Sequence, residues 1–237
     1  LSALTGVDII PGKTLIFLDE VQAFPQALEA LKYFCEDAPE YHIVVAGSLL
    51  GVALHAGVSF PVGKVQTLRL FPMDFEEFLM AMGEEQLLKL MHSHDYELMN
   101  AFHEKLKDLL RQYYYVGGMP EVVKAFAENK LLNQVRSLQN EILSNYASDF
   151  SKHAPSQEVP RIDMVWQSIL GQLSKENKKF VYGVLKKGGR AKEFELAIQW
   201  LVDAGLVYKI TKVSKPELPL KFYEDLSAFK LYLCDCG

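Results

Sequence analysis

The sequence lacks the features that mark secreted, membrane-spanning and cysteine-ligated metal proteins. Its 237 residues include only three cysteines, Cys35, Cys234 and Cys236, with no Cys-x-x-Cys pair. An odd number of cysteines without paired spacing argues against a disulfide framework or a cysteine metal site, and indicates a reducing compartment. No apolar run approaches the roughly 18 residues of a membrane span, and no signal peptide opens the chain. We therefore expect a cytoplasmic protein without membrane contact.

The net charge of −5 is unevenly distributed along the chain. Residues 1–157 contain 12 Lys and Arg against 20 Asp and Glu, whereas residues 158–237 contain 13 against 10. This asymmetry indicates at least two modules, of which only the second could meet nucleic acid. The chain opens on Leu1 rather than Met and soon enters a predicted strand, so we expect a fragment or a processed product.

The most informative stretch is residues 14–22, Thr-Leu-Ile-Phe-Leu-Asp-Glu-Val-Gln. Its apolar run is short and rich in β-formers, which predicts a strand buried on both faces. Asp19 and Glu20 end this strand, at the edge where open parallel sheets bind ligands. One carboxylate could hold the magnesium ion of a nucleotide while the other orients or deprotonates a water. The pattern resembles a Walker B box; the alternative is a core strand that ends in a polar turn.

A second strand is predicted at residues 42–46, after helical spacing that begins near Pro25. Strand, helix and strand in this order form a right-handed crossover, which would bring Ser48 to the same sheet edge as the acid pair. Its hydroxyl could contact a γ-phosphate or the attacking water, or it could cap the next helix. Residues 65–70 alternate like a third strand.

No phosphate-binding loop is present in the sequence. Gly12, Lys13 and Thr14 match the end of Gly-x-x-x-x-Gly-Lys-Ser/Thr, but Val7 stands where the first glycine belongs. A strand is also predicted after these residues, whereas the loop needs a helix N-terminus to hold the phosphates.

Three motifs in order resemble the prokaryotic AAA-type ATPases that carry a C-terminal domain of unknown function. They are Leu-Asp-Glu-Val-Gln at 18–22, Ala-Gly-Ser-Leu-Leu-Gly at 46–51 and Leu-Phe-Pro-Met-Asp-Phe-Glu-Glu-Phe-Leu at 70–79. The family's Gly-Gly-x-Pro signature follows at 117–120. The resemblance covers the whole chain and implies ATP and magnesium as cofactors. It also implies a nuclease-like domain beyond residue 237.

The resemblance assigns roles to individual residues. Asp19 matches the magnesium ligand, Glu20 the catalytic base and Ser48 the sensor 1 position. Family members usually have Gly-Arg where this chain has Gly63 followed by Lys64, and Arg69 is the fallback for that arginine. The family's phosphate-binding loop would precede this chain, so we expect the chain alone to hydrolyse ATP poorly or not at all.

We predict an α/β protein with three modules. Residues 1–79 form a partial P-loop-type parallel sheet, the C-terminal half of an AAA core. Residues 80–157 form a helical, lid-like region, from which Arg111 and Arg136 could reach a phosphate, although exposed helical arginines are commoner. His92, His94 and Asp95 are close enough in sequence to suggest a metal site, but a solvated loop is the better interpretation.

Residues 158–237 predict a winged helix. Helices are expected at 162–173, 180–185 and around 194–202, followed by strands at 206–213, 221–223 and 230–233. Seven cations at 175–192 could contact phosphates. The candidate recognition helix carries three acids, however, which favours weak or no DNA binding and an interaction with a protein partner or with itself. Two hypotheses result: an ATPase fragment, or a DNA-binding or regulatory winged-helix protein with a degenerate ATPase core.

Overall fold

A computed structural model describes residues 2–48, 51 and 63–237. Its contacts divide the chain into two compact units, Leu1–Arg69 with Ile198–Val207 and Leu70–Ala197 with Tyr208–Gly237. The mixed α/β class is confirmed, whereas the three-module boundaries stay a prediction. Within the described residues, no helix has both the length and the apolar character that a membrane crossing requires.

Helices dominate the described part of the chain, with two pairs of strands at its two ends. The strands are β1 (Leu15–Leu18), β2 (His42–Val45), β3 (Val207–Val213) and β4 (Glu224–Leu233). The helices are α1 (Ser2–Thr5), α2 (Pro25–Asp37), α3 (Phe75–Ala81), α4 (Glu85–Ser93), α5 (Tyr96–Ala101), α6 (His103–Val116), α7 (Pro120–Asn129), α8 (Leu132–His153), α9 (Val159–Leu173), α10 (Tyr182–Leu185) and α11 (Ala191–Asp203). Short 3-10 helices lie at Val21–Ala23 and Leu220–Tyr223.

The first unit is built on the parallel pair β1 and β2. Their register joins Leu15 to His42 and Leu18 to Val45, and the connection between them is α2, as the crossover predicted. One face of the pair is covered, because Leu28 and Leu31 of α2 pack against β2.

Among the described residues nothing covers the other face of this sheet, which corrects the prediction of a strand buried on both faces. Leu15 is 58% exposed, Phe17 56% and Val44 45%. The register places these three side chains on one face of the sheet, because residues paired across adjacent strands point the same way. The apolar run of β1 is therefore only half covered by the described residues.

Two of the other predicted strands are also wrong. Residues 65–70 form no strand, and Leu68 and Leu70 are 83% and 99% exposed, although Val65 packs on the α2 core. Alternation alone does not make a strand without a neighbour to share its hydrogen bonds, and this segment has none among the described residues. Residues 221–223 lie in a 3-10 helix, and the returning strand is the single ten-residue β4.

The core of the second unit is centred on Phe78. Its ring lies 5.5 Å from that of Tyr113 and 6.5 Å from those of Phe75 and Phe126, measured between centroids. Aromatic pairs at such separations add attraction beyond the burial of their area. The helix that carries Phe78 begins at a capping box, in which Asp74 accepts from the Glu77 N–H and Glu77 accepts from the Asp74 N–H, both at 2.9 Å. This box explains the Met-Asp-Phe-Glu-Glu part of the third motif.

Three distant segments of the second unit meet at the Gly-Gly-Met-Pro turn between α6 and α7. We call this contact the glycine junction, formed by Met73, Gly117, Gly118 and Asp235. The Met73 N–H donates to the Gly118 carbonyl at 2.7 Å, and the Gly118 N–H donates to the Asp235 carboxylate at 2.7 Å. Gly117 has φ +77°, which any other residue would adopt with strain.

The C-terminal part of the chain has three helices followed by a strand pair. Phe180, which lies between α9 and α10, connects the helices to β4. Its ring stacks on that of Phe229 with 5.4 Å between centroids, and its N–H donates to the Phe229 carbonyl at 3.0 Å. β3 and β4 form a separate antiparallel pair. The order of elements matches the predicted outline, while the winged-helix assignment itself stays a prediction.

The close contact at Gly118 predicts a large loss of stability on adding one methyl group. A Cβ at this position would lie 2.1 Å from the carbonyl oxygen of Met73 and 2.7 Å from its nitrogen. Because both atoms belong to the backbone, relief requires the segment itself to move. We expect Gly118→Ala to lower the free energy of unfolding by about 1–3 kcal/mol in urea titrations.

Gly171 provides the matched control for this substitution. It lies in α9, and a Cβ there would meet nothing within 4 Å. Gly171→Ala should therefore stabilise the protein by about 0.5–1 kcal/mol, because alanine loses less backbone entropy in a helix. If both variants changed stability by the same amount, the steric account of the glycine junction would be wrong.

Candidate functional site

The acid pair lies at the carboxyl end of β1, immediately beside the end of β2. Ala46 directly follows β2, and its N–H donates to the Leu18 carbonyl at 2.9 Å. The Ala46 carbonyl accepts from the Val21 N–H at 3.0 Å. Ala46 is thus hydrogen-bonded to the residue before Asp19 and to the residue after Glu20. These two bonds fix the backbone position of the acid pair at the end of the sheet.

Glu20 has an unusual backbone conformation at this point. Its φ and ψ are 50° and 42°, in the left-handed region that non-glycine residues seldom adopt. The Asp19 carboxylate accepts the Glu20 N–H at 2.9 Å, which holds the sharp turn. Residues kept in such conformations are concentrated at functional sites. The turn leaves both side chains exposed to solvent.

Ser48 shares this sheet edge with the acid pair. It lies two residues beyond Ala46 and is exposed. Parallel pairing of β1 and β2 therefore brings Asp19, Glu20 and Ser48 to the same end of the sheet, as the crossover predicted. The residues that follow Ser48 in its motif, 49 and 50, lie outside the described residues.

The donor set at this edge is suited to part of a magnesium site. Among the described residues, no group of three or more His, Cys, Asp and Glu side chains is arranged to hold a metal ion. Magnesium usually binds through one or two carboxylates, with nucleotide phosphates and water as its other ligands. The exposed Asp19 and Glu20 fit that pattern, whereas a cage made only of protein ligands does not form here.

Lys64 and Arg69 are not brought to the acid pair by any described contact. Lys64 forms an ion pair with Glu36 at 3.3 Å. Glu36 lies in the last turn of α2, which leads back to the start of β2, so this pair belongs to the opposite end of the strands. Arg69 is exposed and lies in the segment at 65–70, which forms neither helix nor strand. Their roles as nucleotide ligands stay predictions.

The remaining candidates in the helical region have local structural partners. His92 lies 3.0 Å from a Glu76 oxygen, His94 ends α4 in a left-handed conformation and Asp95 caps α5. Arg111 pairs with Asp108 at 3.1 Å, and the Arg136 guanidinium lies 5.4 Å from the Tyr115 ring centre. The His94 ring lies 6.3 Å from that of Tyr96, so each of these side chains has a structural contact that needs no ligand.

The glycine junction was not anticipated as a meeting point of distant residues. The Tyr113 hydroxyl donates to the Met73 carbonyl at 2.9 Å. Burial, together with the nearby Cys236 and Asp235, raises the pKa of Tyr113 to about 12. The available sequence signal was the clustering of Tyr-Tyr-Tyr-Val-Gly-Gly-Met-Pro, but nothing in the sequence pairs it with Asp235.

The comparisons with known proteins identify two families along the chain. The model of a family described as AAA domain matches residues 2–79. The model of a family described as Domain of unknown function (DUF8612) matches residues 107–237, more than half of the chain. No curated protein and no solved structure matches. The prediction of an AAA-type protein with a domain of unknown function is thereby confirmed, without its winged-helix detail.

The raised pKa of Tyr113 predicts a loss of stability at alkaline pH. Because the folded-state pKa of about 12 exceeds the ordinary value of 10.0, the protonated phenol stabilises the fold fully below pH 10.0. This contribution is lost as pH rises through the folded-state value. The difference in unfolding free energy between the wild type and Tyr113→Phe should therefore shrink across that interval in urea titrations. A difference independent of pH would contradict the assignment.

Proposed function

The chain belongs to the DUF8612 family and carries an AAA-domain match ahead of that region, and we propose that it supplies the water- and metal-handling half of an ATPase site. The observation that carries this proposal is the parallel pairing of β1 and β2, with Asp19, Glu20 and Ser48 at one sheet edge. Nucleotides bind at this edge in open parallel sheets.

Each residue has a distinct role in the proposal. Asp19 contributes a carboxylate oxygen to magnesium, which offsets the phosphate charge when it is bound. Glu20 accepts a proton from the attacking water or orients that water. Ser48 donates a hydrogen bond to the γ-phosphate. The left-handed turn at Glu20 supports a functional role for this position, because residues kept in such conformations are concentrated at functional sites.

In the proposed site, the phosphate-binding loop is supplied by a segment other than residues 1–237. Val7 replaces the first glycine of the loop pattern, and the Gly12-Lys13-Thr14 segment leads into β1 rather than into a helix. Without backbone N–H groups around the phosphates, nucleotide affinity has to be low. The 237-residue chain alone should show no measurable ATP turnover.

The helical region and the C-terminal region also have proposed roles. Residues 80–157 act as a lid over the nucleotide, and residues 158–237 form a winged helix, which the order of three helices and two strands supports. Protein partners or self-association are favoured over DNA at α11, because Lys186 is paired with Glu193 at 3.6 Å.

Cys35, Cys234 and Cys236 are all free thiols, which supports a reducing, cytoplasmic compartment.

Substitution of the acid pair tests the proposal in a protein that joins this chain to a phosphate-binding loop. Glu20→Gln should lower the kcat for ATP hydrolysis by about 100-fold or more, with little change in nucleotide affinity, because only the proton acceptor is removed. Asp19→Asn should instead raise the magnesium concentration needed for half-maximal turnover.

Two controls separate chemistry from folding in this test. Glu29→Gln makes the same charge change on the exposed surface of α2 and should leave kcat unchanged. Glu20→Gly relieves the left-handed backbone but still lacks the carboxylate, so it should fold well and remain inactive. Turnover by Glu20→Gln within about tenfold of the wild type would refute the role of Glu20.

A further inference from the structure

A groove of about 530 Å³ lies across the β3–β4 pair in the second unit. Residues 210–212 of β3 and 228–230 of β4 line it, together with Asn177, Lys179 and Tyr232. Its volume is in the range of sites that hold small ligands or single nucleotides. The acid pair of the ATPase proposal contributes nothing to it.

The groove carries an excess of positive charge. Lys179, Lys212 and Lys230 line it, and none of them takes part in an ion pair among the described residues. Asp225 is close enough to two of them for their charges to act on its carboxylate. Hydrogen bonds from Ser227, followed by the charges of Lys212 and Lys179, lower the pKa of Asp225. The Glu224 carboxylate also lies beside the groove, where it accepts from the Thr211 hydroxyl at 3.1 Å. Two carboxylates do not offset three ammonium groups, so the groove favours an anionic ligand.

The floor of the groove is apolar and includes an accessible aromatic ring. Ile210 is 54% exposed and Tyr232 is 36% exposed, and both line the groove. Phe229 lies buried at its base, with the Lys209 ammonium 4.6 Å from its ring centre. Large apolar side chains at the centre of a cationic surface contribute nothing to contacts with phosphate alone. They do provide a surface for the flat face of a base.

We propose that this groove binds single-stranded nucleic acid, with phosphates on Lys179, Lys212 and Lys230 and a base against Tyr232 and Ile210. A positively charged groove with aromatic side chains is the arrangement that holds single strands without sequence preference. A duplex fits less well, because its base faces are already stacked and cannot reach the apolar floor. This surface is distinct from the helix α11, whose acids disfavour DNA.

Binding of a fluorescent oligothymidylate of about 15 nucleotides tests the phosphate contacts. We expect a plot of log affinity against log salt concentration to have a slope of about −2, because three phosphate contacts are made. The double variant Lys179→Gln with Lys212→Gln should bind on the order of tenfold more weakly and show a slope smaller by about 1.4. Lys89→Gln with Lys124→Gln makes the same charge change on exposed helix surfaces of the same unit and should have no such effect.

Substitution of Tyr232 distinguishes nucleic acid from other polyanions. Tyr232→Leu should weaken oligothymidylate binding about fivefold or more and leave binding of polyglutamate unchanged, because only a base can stack on the ring. Tyr96→Leu, at a position 73% exposed on α5, is the control. Equal effects of Tyr232→Leu on both polymers, tighter binding of a duplex of the same length, or preferred binding to anionic lipid vesicles would each overturn the proposal.

Discussion

The second unit depends on the approach of two backbone segments that only glycine permits. Met73 and Gly118 are joined by a hydrogen bond of 2.7 Å, and a Cβ on Gly118 would lie 2.1 Å from the Met73 carbonyl oxygen. The same glycine donates its N–H to Asp235 at 2.7 Å. This glycine junction therefore fixes the start of α3, the turn from α6 to α7 and the segment after β4 relative to one another. The Tyr113 hydroxyl connects this junction to the Phe78 core, because it donates to the Met73 carbonyl at 2.9 Å while its ring packs on Phe78.

The first unit is controlled by a different constraint, the pairing of two parallel strands. Because β1 and β2 run side by side in register, the residues that follow them meet at one edge. That pairing gives the acid pair and Ser48 a common position, although they are separated by the whole of α2. Parallel sheets are ordinarily covered on both faces. Here Leu15, Phe17 and Val44 remain exposed among the described residues, so the apolar pattern of β1 exceeds what α2 alone can bury.

The two proposed sites differ in chemistry as well as in place. The edge of the first unit presents carboxylates and a hydroxyl, which suit a metal–phosphate complex and a water. The groove of the second unit presents ammonium groups around an apolar floor, which suit the phosphates and bases of a single strand. The proposed ATPase edge thus binds its anion through a metal, whereas the proposed groove binds its anion directly.

The sequence by itself determined the elements whose signals are local. An apolar run followed by two acids located the end of β1, helical spacing located α2 and α11, and ordered motifs indicated the AAA-type family. Tertiary structure decided what depends on distant partners. Residues 65–70 alternate correctly but have no strand beside them among the described residues, and Lys64 pairs with Glu36. The lysines of the groove come from three segments, since Lys179 precedes β3, Lys212 lies in β3 and Lys230 lies in β4. Hydrogen-bond partners, close backbone approach and charge clustering are relations between segments, and no local pattern encodes them.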